Sequence, residues 1–463
     1  MRRMTRRQFC AAAAAMPLVA RPALAAGAGP LRLVAAPARA AIATPEFGET
    51  DVWSFGDIPG PEIRVRAGER VQVLLENRLP EPTTIHWHGI RIENAMDGVP
   101  DLTQKAVQPG ETFLYDFVAP DAGTFWYHSH FRSFEQVERG LYGTLVVTGD
   151  ADAMRAREVV LLVDDWRLAE SGLIHEASFG APMDASHGGR LGNRLTVNGR
   201  SGPVVEARPG ERLRLRMISA ANARIMSFDL GGLDAWISAL DGWPLDSPLP
   251  LTDPLELAPA QRADVVIDMP QGEGHVDILE LSTGEPLRAA TIDVKGAARS
   301  TAGGQPLLAT RAGADLDLAN ARRIPLVMEG GAMGRMGALS HQGQPIDGRE
   351  MMRLGLFWAF NGKVGKVNPA APVAAVRIGE TVVIELDNRT AWPHAMHLHG
   401  SHMQVISRDG ETVSGAHWRD TILNRPGERL DLAFVANNPG KWLFHCHMLE
   451  HAASGMMTWI DVS

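Results

Sequence analysis

A four-residue motif occurs three times in the chain, and it constrains the fold more than any other feature. The motif places Arg two residues before a Gly-Glu pair, at Gly68, Gly210 and Gly379, and a β-rich run of strand length follows each time. Glycine supplies the backbone freedom for a tight turn, and such a run after a turn is typical of a β-strand. The copies are far apart and irregularly spaced, which excludes a short-period solenoid and predicts three copies of one β domain.

The rest of the chain agrees with this prediction. Turn signals are frequent and helix-length periodic segments are few, so the sequence indicates an all-β chain of β-sandwiches. At about 150 residues per domain, the 463 residues allow three domains. We place them at residues 26–150, 151–298 and 323–463, with a Ser/Thr/Gly/Ala-rich linker over 299–322.

The composition argues against two classes of protein. With 3 Tyr, 14 Phe and 45 basic against 54 acidic residues, the chain is unsuited to a base-stacking surface, and we expect no nucleic-acid partner. No apolar run reaches the about 18 residues that a membrane span needs, so we expect no membrane span.

The first 25 residues resemble an export signal. Arg6 and Arg7 precede the apolar stretch Cys10–Ala20, and the small residues Ala23-Leu24-Ala25 follow. This order is typical of a cleaved secretory signal, and the paired arginines resemble the signal read by the twin-arginine export machinery. We therefore expect residues 1–25 to be a twin-arginine signal peptide and the mature protein to be periplasmic.

Four His-x-His pairs follow glycine turns at one spacing. The first histidine lies eighteen residues after Gly68, Gly110, Gly379 or Gly427, whereas the same offset in the middle copy reaches Phe228. The pairs are His86/His88, His128/His130, His397/His399 and His445/His447. The first and third domains therefore carry paired histidines at equivalent positions.

Strand geometry suggests what these pairs do. Residues i and i+2 of a strand point to the same face, so each pair presents two imidazoles together. Four such pairs from two related domains supply eight ligands, twice what one zinc ion takes, which indicates a cluster of several metals. The other unpaired histidines are interpreted as ordinary surface or core residues: His175, His187, His275, His341, His402 and His417.

A second site is indicated near the end of the chain. Cys446, His451 and Met456 follow one another at intervals of five, and His394 lies three residues before His397. Two imidazoles, a thiolate and a weak thioether define a blue-copper electron-transfer site. The alternatives are a buried apolar Cys446 and an i, i+4 zinc pair on a helix, but both leave the neighbouring histidines unexplained.

The position of Cys446 links the two sites. Its neighbours His445 and His447 face the opposite side of the strand, so the thiolate has a short covalent route to the cluster. Removal of the signal also removes Cys10, which leaves Cys446 without a disulfide partner in the chain.

These residues resemble the multicopper oxidase family of laccases, ascorbate oxidases and bacterial copper-efflux oxidases. The matching motifs are His86-Trp87-His88-Gly89, His128-Ser129-His130, His394-Ala395-Met396-His397-Leu398-His399-Gly400 and His445-Cys446-His447-Met448-Leu449-Glu450-His451, ending Gly455-Met456-Met457. The resemblance implies three consecutive cupredoxin-like Greek-key β-sandwich domains and four copper ions. It implies an oxidase that takes single electrons from a donor at a type 1 copper and reduces O2 to water at a trinuclear cluster.

The resemblance also implies a role for each ligand. The type 1 copper would be held by His394, Cys446, His451 and Met456, the type 2 copper by His86 and His397, and the type 3 pair by His88, His128, His130, His399, His445 and His447. The middle domain would hold no copper.

Reduction of O2 to water consumes protons, so an acid is expected near the cluster. Asp97 matches the family's proton-relay aspartate, although Asp97-Gly98 is also a turn signal. Bacterial relatives often have Glu directly after the last type 1 histidine, where this chain has Ala452. Glu450 is a substitute only if its side chain faces inward.

The donor is the least constrained part of the prediction. Five methionines lie in a stretch with little periodicity, interpreted as a long Met-rich loop or insertion: Met328, Met333, Met336, Met351 and Met352. Thioethers select Cu(I), and the stretch resembles weakly the insert of copper-efflux oxidases, which favours a cuprous oxidase in copper tolerance. The other explanation is that these methionines only fill gaps. Thr390 and Trp392 stand where the efflux enzymes are expected to have an acid and a methionine.

Two other functions stay open. One is a laccase-like oxidase of phenols or aromatic amines, and the other, more remote, is a non-catalytic periplasmic scaffold of the same fold. The complete set of ten histidines, Cys446 and Met456 favours an enzyme over a scaffold. Because three domains already lie in one chain, we expect a monomer.

Overall fold

The computed structural model of the chain contains three β-sandwiches, each built from two sheets. It describes residues 24–25, 29–149, 156–299, 311–334, 339–365 and 371–463. Most of the predicted signal peptide lies outside these residues, as do much of the predicted linker and Met336. The prediction of an all-β chain of three β-sandwich units is confirmed.

The first sandwich has a four-stranded and a five-stranded sheet. Its strands are β1 Leu24–Ala25, β2 Leu31–Ala40, β3 Thr50–Ser54, β4 Gly60–Arg66, β5 Arg70–Asn77, β6 His86–His88, β7 Thr112–Val118, β8 Gly123–His128 and β9 Tyr142–Thr148. The sheet orders are β3-β2-β5-β7 and β1-β4-β9-β8-β6. Helix α1, Ser133–Gln136, lies between β8 and β9.

The second sandwich has a six-stranded and a five-stranded sheet. Its strands are β10 Arg157–Trp166, β11 Arg194–Val197, β12 Val204–Ala207, β13 Arg212–Ser219, β14 Met226–Asp229, β15 Ala235–Leu240, β16 Trp243–Pro250, β17 Leu255–Leu257, β18 Arg262–Asp268, β19 Gly274–Glu280 and β20 Leu287–Val294. The orders are β11-β10-β13-β18-β15-β16 and β12-β20-β19-β14-β17. Helix α2, Pro182–Ser186, precedes β11.

The third sandwich has a ten-stranded and a five-stranded sheet. Its strands are β21 Arg322–Gly330, β22 Leu339–His341, β23 Gln344–Ile346, β24 Trp358–Phe360, β25 Lys363–Val364, β26 Ala374–Val376, β27 Thr381–Asn388, β28 His394–Leu398, β29 Met403–Arg408, β30 Glu411–Thr412, β31 Trp418–Arg419, β32 Thr421–Asn424, β33 Arg429–Val435, β34 Gly440–Cys446 and β35 Met457–Val462. Helices α3, Gly348–Leu354, and α4, Leu449–Ala453, complete it. The five-stranded order is β26-β35-β34-β28-β32.

The three sandwiches share one strand pattern. The strand after each repeated turn, β5, β13 or β27, pairs in parallel with the first long strand of its sandwich and antiparallel with a later one. In the second sheets, β6, β14 and β28 pair antiparallel with β8, β19 and β34. The three sequence motifs therefore mark equivalent places in three related units.

The Gly-Glu motif owes its form to the turn that it makes. Gly68, Gly210 and Gly379 have φ values of 84°, 69° and 89°, in the left-handed region that glycine tolerates best. In each copy the Glu carboxylate accepts a hydrogen bond from the backbone N–H three residues earlier, at 2.8–2.9 Å. The turns at Gly110 and Gly427 repeat this arrangement. The strand that follows each of the five turns therefore begins at the same position relative to the glycine.

Each sandwich has its own apolar core, and a further core joins all three units. This further core includes Trp126 and Tyr142 from the first unit, Trp166 and Ile218 from the second, and Leu449 from α4. All five side chains are buried. The packing fixes the first and third units against the second, which positions the site described below.

The prediction that residues 328–352 form a long loop is wrong for the residues described. Met328 lies on β21, the strands β22 and β23 form a hairpin, and Met351 lies on α3. The hairpin turn uses Gly343 at φ 79°, and the Asp347 side chain caps α3 by accepting from two backbone N–H groups. These short elements lack the periodicity of longer ones.

Among the residues described, no helix combines the length and the apolar character that crossing a membrane requires.

Candidate metal centre

The four His-x-His pairs meet in one place, called the histidine group below. The ring of His86 stacks on that of His399 with centroids 3.9 Å apart, and His88 stacks on His397 at 3.8 Å. The second pairs adjoin them: the Nε2 atoms of His128 and His447 are 3.3 Å apart. The first and third sandwiches therefore contribute to one site, as the spacing predicts.

Strand pairing explains why one spacing recurs. His86 pairs with His128 across β6 and β8, and His397 pairs with His445 across β28 and β34. In the middle sandwich the equivalent pair is Phe228 and Glu280. The middle unit thus has no histidine at the very positions where the other two units have one.

The strand argument for each His-x-His pair holds only in part. Both histidines of the first pair lie within β6, but His130, His399 and His447 lie just past the ends of their strands. The pairs still stay together, with ring centroids 4.8–6.0 Å apart.

The imidazoles are in the form that binds metals. Burial, followed by the charges of neighbouring histidines, holds the pKa of His88, His128, His399 and His447 well below the usual value, so these rings are neutral near pH 7. Burial likewise lowers the pKa of His130 to about 3. Neutral imidazole has a free nitrogen lone pair for a metal ion.

Several of these nitrogens have no other partner among the residues described. The buried atoms without a hydrogen bond include His86 Nε2, His88 Nδ1, His397 Nε2 and His447 Nδ1. A buried polar atom without a hydrogen-bond partner costs free energy. A cluster of such atoms therefore suits a bound cation better than it suits ordinary core packing. Donor atoms of His86, His397 and His399, and separately of His130, His399 and His445, lie within 4.8 Å of one another.

The predicted second site is also assembled; it is called the Cys446 group and comprises Cys446, His394, His451 and Met456. Cys446 Sγ lies 3.6 Å from His394 Nδ1 and 3.7 Å from His451 Nδ1, and these nitrogens are 3.1 Å apart. Three ligands about 2 Å from one ion in a plane are about 3.5 Å apart, so the spacing suits one metal ion. Met456 is buried, and its carbonyl accepts from the Cys446 N–H at 3.0 Å.

The Cys446 group is shielded from solvent. All four side chains are buried, and the indole of Trp358 packs against both imidazoles, with ring centroids 5.0 Å from His394 and 4.3 Å from His451. Burial raises the pKa of the Cys446 thiol to about 12. A bound cation is therefore needed to hold the thiolate near pH 7.

Each imidazole of the Cys446 group is oriented by its other nitrogen. His394 Nε2 donates to Thr390 Oγ1 at 2.8 Å, and His451 Nε2 donates to the His187 carbonyl oxygen at 2.7 Å. These contacts leave both Nδ1 atoms free for a metal. From the sequence, Thr390 is a mismatch, because the efflux enzymes are expected to have an acid there, and His187 is an ordinary residue, because it has no characteristic spacing.

Asp97 lies in the histidine group. Its carboxylate accepts from His399 Nδ1 at 2.9 Å, and its backbone carbonyl accepts from His86 Nδ1 at 2.8 Å. The turn interpretation holds as well, because Asp97 ends a 3-10 turn and a Cβ atom at Gly98 would lie 1.9 Å from the Ile85 carbonyl oxygen. The close turn presses Asp97 against both imidazoles.

Asp420 is a residue that sequence analysis missed. It is fully buried before β32, and its carboxylate accepts from His88 Nε2 at 3.2 Å and from the Arg262 guanidinium at 2.6 and 2.7 Å. Its backbone carbonyl accepts from His397 Nδ1 at 2.9 Å. Because Asp420 belongs to none of the repeated spacings, only the folded arrangement reveals it.

Glu450 faces the middle sandwich. Its carboxylate accepts from the Arg190 backbone N–H at 3.3 Å and from Asn222 Nδ2 at 3.2 Å. Burial raises the pKa of Glu450 to about 8. The hydrogen bonds of Glu450 thus lie at the interface with the second sandwich. Glu450 is therefore no direct substitute for the Glu that bacterial relatives have where this chain has Ala452.

Comparison with known proteins agrees with this arrangement. The chain matches three multicopper oxidase family models, over residues 39–152, 157–278 and 346–463. Multicopper oxidase MmcO of Mycobacterium tuberculosis is 30% identical, over 91% of this chain and 83% of that protein. The chain belongs to the multicopper oxidase family. Copper resistance protein A of Escherichia coli is 26% identical, over 88% of each chain.

A solved multicopper oxidase has the same fold. The crystal structure of the enzyme from Pseudomonas thermotolerans is similar with a TM-score of 0.82 at 32% identity, over 96% of this chain and 100% of that one. The three sandwiches of this multicopper oxidase are therefore cupredoxin-like, as predicted. The protein is an oxidoreductase that acts with oxygen, and its family implies copper as the cofactor.

Proposed function

We propose that this multicopper oxidase couples one-electron oxidation of a donor at the Cys446 group to four-electron reduction of O2 to water at the histidine group. The observation that carries the proposal is the segment His445-Cys446-His447. Cys446 Sγ lies among the imidazoles of one group, while both flanking histidines belong to the other. Two covalently joined groups of different ligand chemistry suit an enzyme that separates donor oxidation from O2 reduction.

The ligand chemistry fits four copper ions. The Cys446 group offers a thiolate, two imidazoles and Met456, which is the type 1 set, and the histidine group offers eight imidazoles for one type 2 and two type 3 ions. Copper, when bound, would supply the one-electron redox change at the first group and the O2-reducing centre at the second. His86 and His397 would hold type 2, and the other six histidines the type 3 pair.

The chain's own residues orient these ligands and supply protons. Asp97 accepts from His399 Nδ1 at 2.9 Å, and it is the carboxylate placed to pass protons to the O2-reducing centre. Asp420 fixes His88 from the opposite side, and Thr390 fixes His394. Orientation by such neighbours keeps each lone pair directed at the ion.

A cuprous donor is favoured by the surface next to the Cys446 group. His451 Nε2 donates to the His187 carbonyl, the His187 ring lies 5.4 Å from the Trp392 ring, and Trp392 Nε1 donates to the Ala332 carbonyl at 2.9 Å. The next residue, Met333, is 79% exposed. Met333 therefore lies at the outer end of a chain of contacts that leads to His451. Its exposed thioether is a soft ligand for Cu(I) that arrives from solution.

The copper resistance name of one relative agrees with this donor. In the proposed reaction four Cu(I) ions are oxidised to Cu(II), and one O2 and four protons become two water molecules. The copper-tolerance role goes with export: we propose the twin-arginine signal at residues 1–25, a periplasmic location and a monomeric enzyme.

A laccase-like function is the second candidate, and the burial of Met328 and Met351 favours it. Met328 and Met351 are core residues, and Met352 lies on α3. Trp392 sits beside His187, where a flat aromatic donor would pack against it. Under this alternative Met333 would be an incidental surface residue.

The deciding experiment measures O2 uptake by the copper-loaded mature enzyme with chelated Cu(I) or with a simple phenol. A cuprous oxidase takes up O2 rapidly with Cu(I) and turns over phenol only when Cu(II) is added. Equal phenol turnover without added Cu(II) would establish the laccase-like alternative. No uptake with either donor would support the scaffold.

A pair of variants locates the donor site. Met333→Leu removes the exposed thioether next to His187 and Trp392, and we expect a KM for Cu(I) about tenfold higher with an unchanged kcat. Met352→Leu is the matched control, because Met352 is also exposed, at 57%, but lies on α3. Equal effects of the two substitutions would contradict a site at Met333.

A further inference from the structure

Arg311, whose side chain is 11% exposed at the junction of the three sandwiches, has donors without partners among the residues described. Arg311 packs on Trp243, with its guanidinium carbon 3.6 Å from the ring centroid, and donates through Nη2 to Asp121 at 2.6 Å. Its Nε and Nη1 atoms are buried and have no hydrogen-bond partner in the described part of the chain. An unpaired guanidinium donor in such a place calls for a bound acceptor.

Among the residues described, the one carboxylate that is hydrogen-bonded to Arg311 is shared with a second arginine. Arg91 also binds Asp121, through two hydrogen bonds of 2.8 and 2.9 Å, so two guanidinium groups share one carboxylate. The pKa of Arg311 is lowered to about 9, because burial outweighs the charge of Asp121. A monovalent anion would restore neutrality.

His402 packs against the same indole as Arg311, that of Trp243, and has a free nitrogen. Its side chain is 2% exposed, its ring centroid is 5.1 Å from that of Trp243, and its Nε2 donates to the Asp241 carbonyl at 3.3 Å. Burial and then the Arg311 charge lower the pKa of His402 to about 3. The ring is therefore neutral, and its unpartnered Nδ1 is an acceptor that requires an O–H or N–H donor.

The aromatic surroundings give the junction a defined shape. Trp243 stacks on Trp418 with centroids 5.3 Å apart, and a Cβ atom at Gly313 would lie 2.3 Å from Trp418 Nε1. The backbone after Arg311 is thus pressed onto the third sandwich, which keeps the guanidinium in place.

We propose that Arg311 and His402 form a binding site for a small monovalent oxyanion that carries one hydroxyl group, the class to which hydrogencarbonate belongs. The oxygens accept from Arg311, and the hydroxyl donates to His402 Nδ1. A halide would satisfy only the arginine. The site is separate from the proposed copper ligands, but His402 Nε2 lies 3.7 Å from Asp420 Oδ2, and Asp420 binds His88.

The test uses the copper-loaded mature enzyme at pH 8 and sodium hydrogencarbonate as the probe, with sodium chloride at equal ionic strength as the reference. We expect a saturable rise of Tm with hydrogencarbonate beyond that with chloride. Binding should be about tenfold weaker in Arg311→Met, because a charge-assisted hydrogen bond is lost. Arg323→Met, which removes an exposed ion-paired arginine, is the control and should bind as the wild type does.

A structural measurement on the wild type makes the test independent of variant folding. Crystals grown with hydrogencarbonate should show planar three-oxygen density within hydrogen-bond distance of Arg311. Water alone at that position, chloride stabilising as well as hydrogencarbonate, or full binding by the Arg311→Met protein would each overturn the proposal.

Discussion

The guanidinium of Arg262 makes two hydrogen bonds, of 2.6 and 2.7 Å, to the carboxylate of Asp420. Both side chains are fully buried, and they come from different sandwiches: Arg262 begins β18 of the middle unit, and Asp420 precedes β32 of the third. Asp420 in turn holds His88 of the first unit. The middle sandwich, which contributes none of the eight paired histidines, therefore still positions one of them.

Removal of this pair tests that role. Arg262→Gln leaves a buried carboxylate without its counter-ion, so we expect the free energy of unfolding to fall by about 3–5 kcal/mol. Urea denaturation measures this change, and Arg425→Gln, which breaks an exposed pair with Glu256, should cost less than about 1 kcal/mol. Equal losses in the two variants would show that the buried pair does not hold the domains together.

Asp97 should affect O2 reduction without affecting the Cys446 group. In Asp97→Asn the side chain keeps its size but cannot carry the proton, so we expect turnover to fall about 100-fold while blue colour is retained. O2 uptake under saturating donor measures the loss. Asp101→Asn, an exposed neighbour on the same loop, is the control and should behave as the wild type does. Undiminished turnover in Asp97→Asn would exclude a relay at this residue.

Thr390 should tune copper affinity at the Cys446 group. Thr390→Val deprives His394 Nε2 of its acceptor, and we expect affinity for the copper of this group to fall about 10- to 100-fold. Competition with a chelator, followed by the blue absorption, measures the affinity. Thr390→Ser keeps the hydroxyl and should restore it. If both variants lose copper equally, the hydroxyl is not the orienting group.

How much the sequence could predict depended on whether a feature repeats. The turns at Gly68 and Gly379 each lie eighteen residues before a histidine, and that regularity correctly brought His86 and His397 into one site. Asp420, Arg262 and His187 have no repeated spacing, and their contacts arise only when three sandwiches pack together. The loop prediction for residues 328–352 was wrong, because a short hairpin and a two-turn helix contain too few residues to show a hydrophobic periodicity.

An acidic residue at the contact of the first two sandwiches should make stability depend on pH. Burial alone would raise the pKa of Glu158, but the charges and hydrogen bonds of Arg216 and Arg64 lower it to about 2. A lowered pKa means that the stabilisation is complete above about pH 4.5 and is lost as the pH falls towards 2.

Glu158→Gln should therefore be less stable than the wild type by about 2 kcal/mol at pH 7, after allowance for solvent screening, and the difference should shrink towards zero near pH 2. Urea denaturation across this pH range measures the difference. Glu256→Gln, in an exposed pair, should show no such trend. A constant difference at all pH values would contradict the coupling of Glu158 to the arginines.

In the proposed enzyme Cys446 joins two metal groups into one oxidase, and the Cys446→Ser variant removes that link. Copper content, blue absorption and O2 uptake would be measured on the copper-loaded variant and on the wild type. We expect one copper ion fewer per chain, no blue absorption and no oxidation of either Cu(I) or phenol, while the histidine group keeps its copper. Donor oxidation at the wild-type rate in the Cys446→Ser protein would exclude an electron route through Cys446.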